Sequence, residues 1–191
     1  PNLLENGDFS KPINTKGGNF INDFTANEGW ITRSWAYDSN LDGDGAAYVN
    51  GATGGGILSQ VLLDQKIRKG EQTLSFDLKN VEGNADENSL KVSVWGINGE
   101  RGIGALSIRG PEANGQLPFS RVKLADQTVG GVSFDWKTFN SNVDFGDGYE
   151  TVLVQVDADG ISNSKDFIGI DNVSISGGGG STPPADSVPP T

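Results

Sequence analysis

The chain contains no cysteine, no histidine and no methionine in 191 residues. Without cysteine, disulfides and thiol chemistry are excluded. Without histidine the commonest general base is missing, and with it any Ser-His-Asp or Cys-His arrangement. Zinc and redox-metal sites lose their usual ligands as well. A chain free of oxidisable sulfur suits secretion, so an extracellular location is expected. Positive charge is scarce: 14 Lys and Arg stand against 25 Asp and Glu, a net charge of −11, with a pI near 4.3. A field of that sign repels nucleic acid and anionic lipid, and neither is an expected partner. Long apolar runs are missing too; none approaches the roughly 18 residues of a membrane-spanning helix. The sequence opens at Pro1 without an initiator Met or a signal peptide, as expected of a processed or excised piece.

Glycine, by contrast, is abundant at 28 residues, much of it in turn signals such as NGE, DGDG, GDG and ADG. Between the turns lie short runs with a period of two. In TLSFDLKNV, Leu74, Phe76 and Leu78 fall on one face and Thr73, Ser75, Asp77 and Lys79 on the other. LKVSVWGI places Val92 and Val94 inward and Lys91, Ser93 and Trp95 outward, and TVLVQVDADG sends Val152, Val154 and Val156 one way and Leu153 and Gln155 the other. ILSQVLL, RVKLA, WKTFNSNV and FIGIDNVSI supply further runs. No stretch carries helix capping and a 3.6-residue period beyond about two turns. The pattern predicts an all-β chain, a jelly-roll β-sandwich of two antiparallel sheets over residues 1–176. From 177 to 191 the text GGGGSTPPADSVPPT reads as a linker, its glycines a flexible joint and its prolines an extended spacer.

Catalysis finds little support. Glycosidases need only a pair of carboxylates, but the acids here sit mostly in turns, and no E-x-D-x-x-E strand of the jelly-roll glucanase kind is present. No catalytic residue is assigned. What remains is aromatic. Sugars offer apolar C–H faces to flat rings and hydroxyls to polar groups. Alternation points Trp95 away from the Val92 and Val94 side; Trp35 shares a stripe with Ile31, Arg33 and Tyr37; Trp136 has polar neighbours on both sides. Trp30, after Gly29, stands at a strand start and reads as half core. At least two of the four are expected only to pack the sandwich.

Six segments occur in order along the chain: NLLENGDF from Asn2, GW at Gly29, GAAYV from Gly45, TLSFDLK from Thr73, DWKTF from Asp135 and IDNVSI from Ile170. In this the sequence resembles the galactose-binding-like jelly-roll carbohydrate-binding modules, in particular families 4, 9, 16 and 22. Two loops are longer than the resemblance leads one to expect, one between Phe9 and Trp30 and one around residues 83–87. The resemblance implies a structural calcium that ties the first strand to the last. Its ligands would be the backbone carbonyls at Asp8 and Gly45 and the carboxylate of Asp171, and calcium does favour six to eight hard oxygens of that kind. The alternative reading makes Asp8 and Asp171 turn formers at strand ends. Asp38, Asn40 and Asp42 before Gly43 also match the opening of a calcium loop, D-x-[DN]-x-[DN]-G, but its twelfth position is Val49 instead of Glu. They hold a second ion or shape the turn that presents Gly45. By the same resemblance Gln155 would serve sugar hydroxyls, joining the aromatic candidates Trp30, Trp35, Trp95 and Trp136; it reads equally as an ordinary exposed residue.

The reading that follows is a non-catalytic module that holds a secreted polysaccharide-degrading enzyme on its polymer through the linker. The expected ligand is a neutral β-linked glucan, mannan, xylan or agar-type galactan bound by a monomer, since polyuronate suits the negative charge poorly. A stand-alone glycosidase or lyase, and an adhesion module with a protein partner, are the alternatives.

Overall fold

The computed structural model describes residues 2–13, 28–50, 56–63, 69–81, 88–98, 120–131, 133–158 and 166–177. The two lengthened loops, apart from their ends, and the linker from 178 onward lie outside the described residues. Ten strands follow in order: β1 (Ile31–Arg33), β2 (Ala36–Asp38), β3 (Ala46–Asn50), β4 (Ile57–Leu63), β5 (Glu71–Val81), β6 (Asn88–Asn98), β7 (Ser120–Gly131), β8 (Phe134–Asp144), β9 (Thr151–Asp157) and β10 (Phe167–Ser176). They form two five-stranded sheets. Sheet A runs β1-β4-β9-β6-β7 and sheet B runs β2-β3-β10-β5-β8. Every paired neighbour is antiparallel. Among the described residues there is no α-helix. The predicted jelly-roll sandwich is the fold that forms.

The core lies where the alternation puts it. Leu58, Val152, Val154, Val156, Leu90, Val92 and Val94 of sheet A meet Ala47, Val49, Leu74, Phe76, Leu78, Ile168, Ile170 and Ile175 of sheet B. Strand β5 shows the expected rhythm, with Leu74, Phe76, Leu78 and Asn80 buried and the residues between them half-buried. Two places break the simple pattern. Ser34 takes a left-handed φ of 66°, and the chain crosses there from β1 in sheet A to β2 in sheet B. The stripe expected of Ile31, Arg33, Trp35 and Tyr37 is therefore cut in two. Strand β9 is buried on both faces from Val152 to Val156, so the outer face of sheet A is covered at β9, while Asp126 and Thr128 of β7 are exposed.

The two ends of the folded part are joined by backbone. Leu3 N–H donates to the Ile175 carbonyl at 2.8 Å, and Val173 N–H donates to the Gly7 carbonyl at 2.8 Å. Asn2 doubles the link: its amide donates to the Val173 carbonyl at 2.9 Å and its oxygen accepts from Ile175 N–H at 3.0 Å. Gly7 is required by this approach, because a Cβ there would stand 2.0 Å from the Val173 carbonyl oxygen. Above this seam Trp30 stacks on Phe9, centroids 5.2 Å apart, and donates its indole N–H to the Asn6 carbonyl at 3.0 Å.

Candidate functional site

Two places on the sandwich gather polar side chains, one on the outer face of each sheet. On sheet B the site begins with the turn 38–45. Asp38 shapes it, its carboxylate accepting from Asn40 N–H at 2.9 Å and its carbonyl from Leu41 N–H at 3.3 Å. The turn closes with Gly45 N–H donating to the Leu41 carbonyl at 3.1 Å. Gly45 has a φ of 112°, and a Cβ there would meet the Phe9 carbonyl at 2.5 Å and the Tyr37 hydroxyl at 2.7 Å. The turn is thereby held against both the N-terminal segment and β2, and it carries Asp42 and Asp44 over β10.

Beneath it lies Asp171, fully buried. Carboxylate oxygens of Asp42, Asp44 and Asp171 lie within 4.8 Å of one another. Asp171 Oδ1 accepts from Asn172 N–H at 2.8 Å, while Oδ2 is buried with no hydrogen-bond partner. Burial is the main reason that the Asp171 carboxyl is pushed up from 3.8 to about 8. The proximity of the Asp42 carboxyl, to which only a protonated acid could donate, and the charges of Asp44 and Asp42 push the same way, against the Asn172 N–H. Three acids crowd one point and one buried oxygen has no donor.

That arrangement fits a hard cation. Two oxygens each 2.3–2.6 Å from one calcium ion stand at most about 5 Å apart, a spacing that the cluster meets. An ion would supply the positive charge that the buried Oδ2 lacks. With no His or Cys in the chain, the donor set is oxygen alone, which suits calcium and not zinc. Of the residues expected around a calcium, Gly45 and Asp171 come to this place. At Asp8, whose backbone carbonyl is the expected ligand, the side chain is exposed and Oδ1 accepts from Ser10 N–H at 3.1 Å. The carbonyl that approaches Gly45 belongs to Phe9. Asp38, Asn40 and Asp42 do not form a separate group; Asp38 and Asn40 build the turn while Asp42 joins Asp171. Asp44 was not singled out from sequence. Its signal was the run of acids alternating with glycine in DGDG, one residue before the expected Gly45.

On sheet A, the outer face alternates with the valine core. Register places Ser59 of β4 opposite Gln155 of β9, Gln155 opposite Ser93 of β6, and Ser93 opposite Asp126 of β7. One row of hydrogen-bonding side chains thus crosses four strands, about 14 Å at the usual spacing between strands. Gln155 Nε2 donates to Ser59 Oγ at 3.2 Å. The next row reads Val61, Leu153, Trp95, Lys123. The row on the other side reads Ile57, Asp157, Lys91, Thr128. Ser59, Ser93, Gln155 and Trp95 are all buried.

The tryptophans sort differently from the alternation alone. Trp30 is fully buried in the core. Trp35 is buried there as well, its indole N–H without a partner; the crossing at Ser34 turns it inward, away from Arg33. Trp95 does point away from Val92 and Val94, but it is only 7% exposed and Lys123 Nζ lies 5.2 Å from its ring centroid. It is not an open platform. Trp136 is half-buried on the outer face of sheet B, on the opposite side of the sandwich from Gln155. The four rings form no common surface.

No family model matches the chain, and no curated protein is significantly similar to it. Solved structures are similar in fold. A family 4 carbohydrate-binding module superposes with a TM-score of 0.52 at 17% identity, over 91% of this chain and 98% of that one. The chain shares the jelly-roll fold of these modules. The xylan-binding domain of a Paenibacillus barcinonensis protein has a TM-score of 0.49 at 15% identity, over 92% of this chain and 94% of that one. The Stig cyclase Fisc of Fischerella sp. TAU, solved with a pyrrolidinylidene indole, has a TM-score of 0.53 at 14% identity over 91% and 94%. A fold that carries both a binding module and a cyclase does not fix a function, which has to come from the site.

Proposed function

We propose that the chain is a non-catalytic carbohydrate-binding module that binds a neutral β-linked polysaccharide across the outer face of sheet A. The observation that carries this reading is the polar row Ser59, Gln155, Ser93 and Asp126, with Trp95 in the row beside it. A chain of sugars lying across the strands would meet hydroxyl partners along one row and an aromatic edge along the next. Gln155 stands at the centre and offers both a donor and an acceptor. Asp126 at the β7 end of the row is exposed, whereas Ser59, Ser93 and Gln155 are buried, so binding along the whole row entails exposing those three. Trp30 and Trp35 have no part in contacting ligand on this reading; they hold the sandwich. The −11 charge favours neutral glucan, mannan, xylan or agar-type galactan over polyuronate.

Calcium would sit at Asp42, Asp44 and Asp171, on the other sheet. Its role is structural: it neutralises the acid cluster and fixes the turn 38–45 on β10, at the end of the molecule where the N-terminal segment meets the last strand. The module acts as a monomer and, through residues 177–191, tethers a secreted polysaccharide-degrading enzyme to its substrate, raising the effective concentration of one at the other.

Affinity electrophoresis against glucan, mannan, xylan and agar-type galactan tests the reading. Retardation by one of them, weakened at least tenfold by Gln155→Ala, is expected, with no release of reducing sugar. Failure of every neutral polymer to retard the chain overturns it. Release of reducing sugar would instead make the chain a glycosidase, and capture of a protein partner without any glycan would make it an adhesion module.

A further inference from the structure

Among the described residues, strand β8 is an edge of sheet B, with only β5 as a paired neighbour. Its outer face nonetheless reaches the acid cluster by two routes. The first is a chain of hydrogen bonds. Thr138 Oγ1 donates to Asp77 Oδ1 at 2.5 Å, and Asn172 Nδ2 donates to Asp77 Oδ2 at 2.9 Å. Asn172 stands in a left-handed conformation, φ 50°, at the bulge where the β10–β5 register slips between Asp171 and Ser174. Its backbone N–H is the group that holds Asp171 Oδ1. Asp77 thus grips the side chain of the residue whose backbone orients Asp171.

The second route is apolar. The tip of the Trp136 ring lies over Gly169 of β10, with Cη2 3.0 Å from where a Cβ would be. Leu41 Cδ2 lies 3.4 Å from the same point. Leu41 belongs to the turn 38–45 and immediately precedes Asp42. Trp136 and Leu41 therefore share one bare patch of backbone, two residues before Asp171.

We infer that Trp136 and the Thr138–Asp77–Asn172 chain are positioning residues for the cation site: the first packs beside the turn that carries Asp42 and Asp44, and the second fixes the bulge that presents Asp171. This rests on the reading that the acid cluster binds calcium. It assigns to Trp136 a task other than sugar stacking, and it explains why a large indole occupies an edge strand far from Gln155. Partners one layer behind metal ligands commonly alter affinity by 10–100-fold when removed.

Calorimetric titration of the full chain with calcium, after removal of bound metal, tests it. Trp136→Ala and Asn172→Gly should each raise the calcium Kd at least tenfold. Glycine keeps the left-handed backbone at 172 and removes only the amide. Trp136→Phe should recover most of the affinity lost in Trp136→Ala. Val154→Ala, in the core on the other sheet, controls for general loss of stability and should melt lower with the Kd unchanged. Wild-type chain that binds calcium while both variants match it within twofold overturns the positioning role alone. Wild-type chain that takes up no calcium removes the site, and this inference with it.

Discussion

Stripped of divalent cation, the protein should lose stability as the pH rises from about 4 to about 8. The Asp171 carboxyl titrates near 3.8 when the chain is unfolded and near 8 when it is folded without an ion. Between those values the folded state holds a proton that the unfolded state has released. Stability from this group is therefore fully present below pH 3.8 and is lost progressively up to pH 8. The slope is at most about 1.4 kcal/mol per pH unit, so the whole rise corresponds to roughly 5–6 kcal/mol. That is a ceiling. Asp42 and Asp44 are both accessible to solvent, so water reaching the site raises its effective dielectric, and we expect about half of it. Against a total of about 5–15 kcal/mol for a domain, this is a large share. For a chain of this length about 3 kcal/mol is a shift of roughly 6–12 °C in Tm.

The assay is a set of thermal melts at pH 5, 6, 7 and 8 in metal-free buffer and again in millimolar calcium, for wild type and for Asp171→Asn. Asparagine keeps the shape and cannot ionise, so the difference between the two proteins isolates this carboxyl from the other acids. Metal-free wild type should fall further than the variant as the pH rises. Calcium should restore wild type most at pH 8 and least at pH 5, where protons compete for the ligands. It should leave the variant nearly unmoved. Metal-free pH profiles that run parallel for the two proteins would refute the argument from burial.

Three further outcomes are expected. Trp30→Ala should cost about 3–5 kcal/mol in denaturant unfolding, because the ring is fully buried against Phe9; a loss under about 1 kcal/mol would contradict its place in the core. Gly7→Ala should lower Tm more than any exposed substitution, since its Cβ would fall 2.0 Å from the Val173 carbonyl and force the terminal seam apart; an unchanged melt would show that the seam contributes nothing. Gln155→Ala should weaken polysaccharide binding at least tenfold in calorimetry and also lower Tm by a few degrees, since it leaves the buried Ser59 hydroxyl without its donor; equal affinity for variant and wild type would move the ligand off this face.

The fold was legible because strands β5, β6 and β9 obey a period of two strictly enough to name their inner faces: Leu74, Phe76 and Leu78 in one, Val152, Val154 and Val156 in another. Turn glycines marked their ends. What alternation could not convey was whether the other face met water. For Trp95 the period gave the correct side of β6, opposite Val92 and Val94, yet the ring is buried there with Lys123 over it. Periodicity reports direction and not exposure. Trp35 failed for a different reason. A single left-handed residue, Ser34, moves the chain between sheets, and nothing in the type of a serine announces that.

The acid cluster was half legible, and the missing half is instructive. Asp171 stood out because a carboxylate inside a run of strand residues needs a partner. Resemblance brought Gly45 to it across more than a hundred residues. The acids that gather around Asp171 include a neighbour of the expected residue: Asp44, beside Gly45. A β-turn fixes its backbone by hydrogen bonds and glycine geometry, and those signals are visible in DGDG. In the same turn Leu41 lies over Gly169 of β10, 128 positions away, a proximity of apolar groups that turn signals do not convey. If the cluster holds an ion as inferred, apolar packing at Gly169 shares in placing its carboxylates. The same logic explains why an edge-strand tryptophan, which by composition resembles a sugar platform, lies with its ring tip on bare backbone beside that leucine.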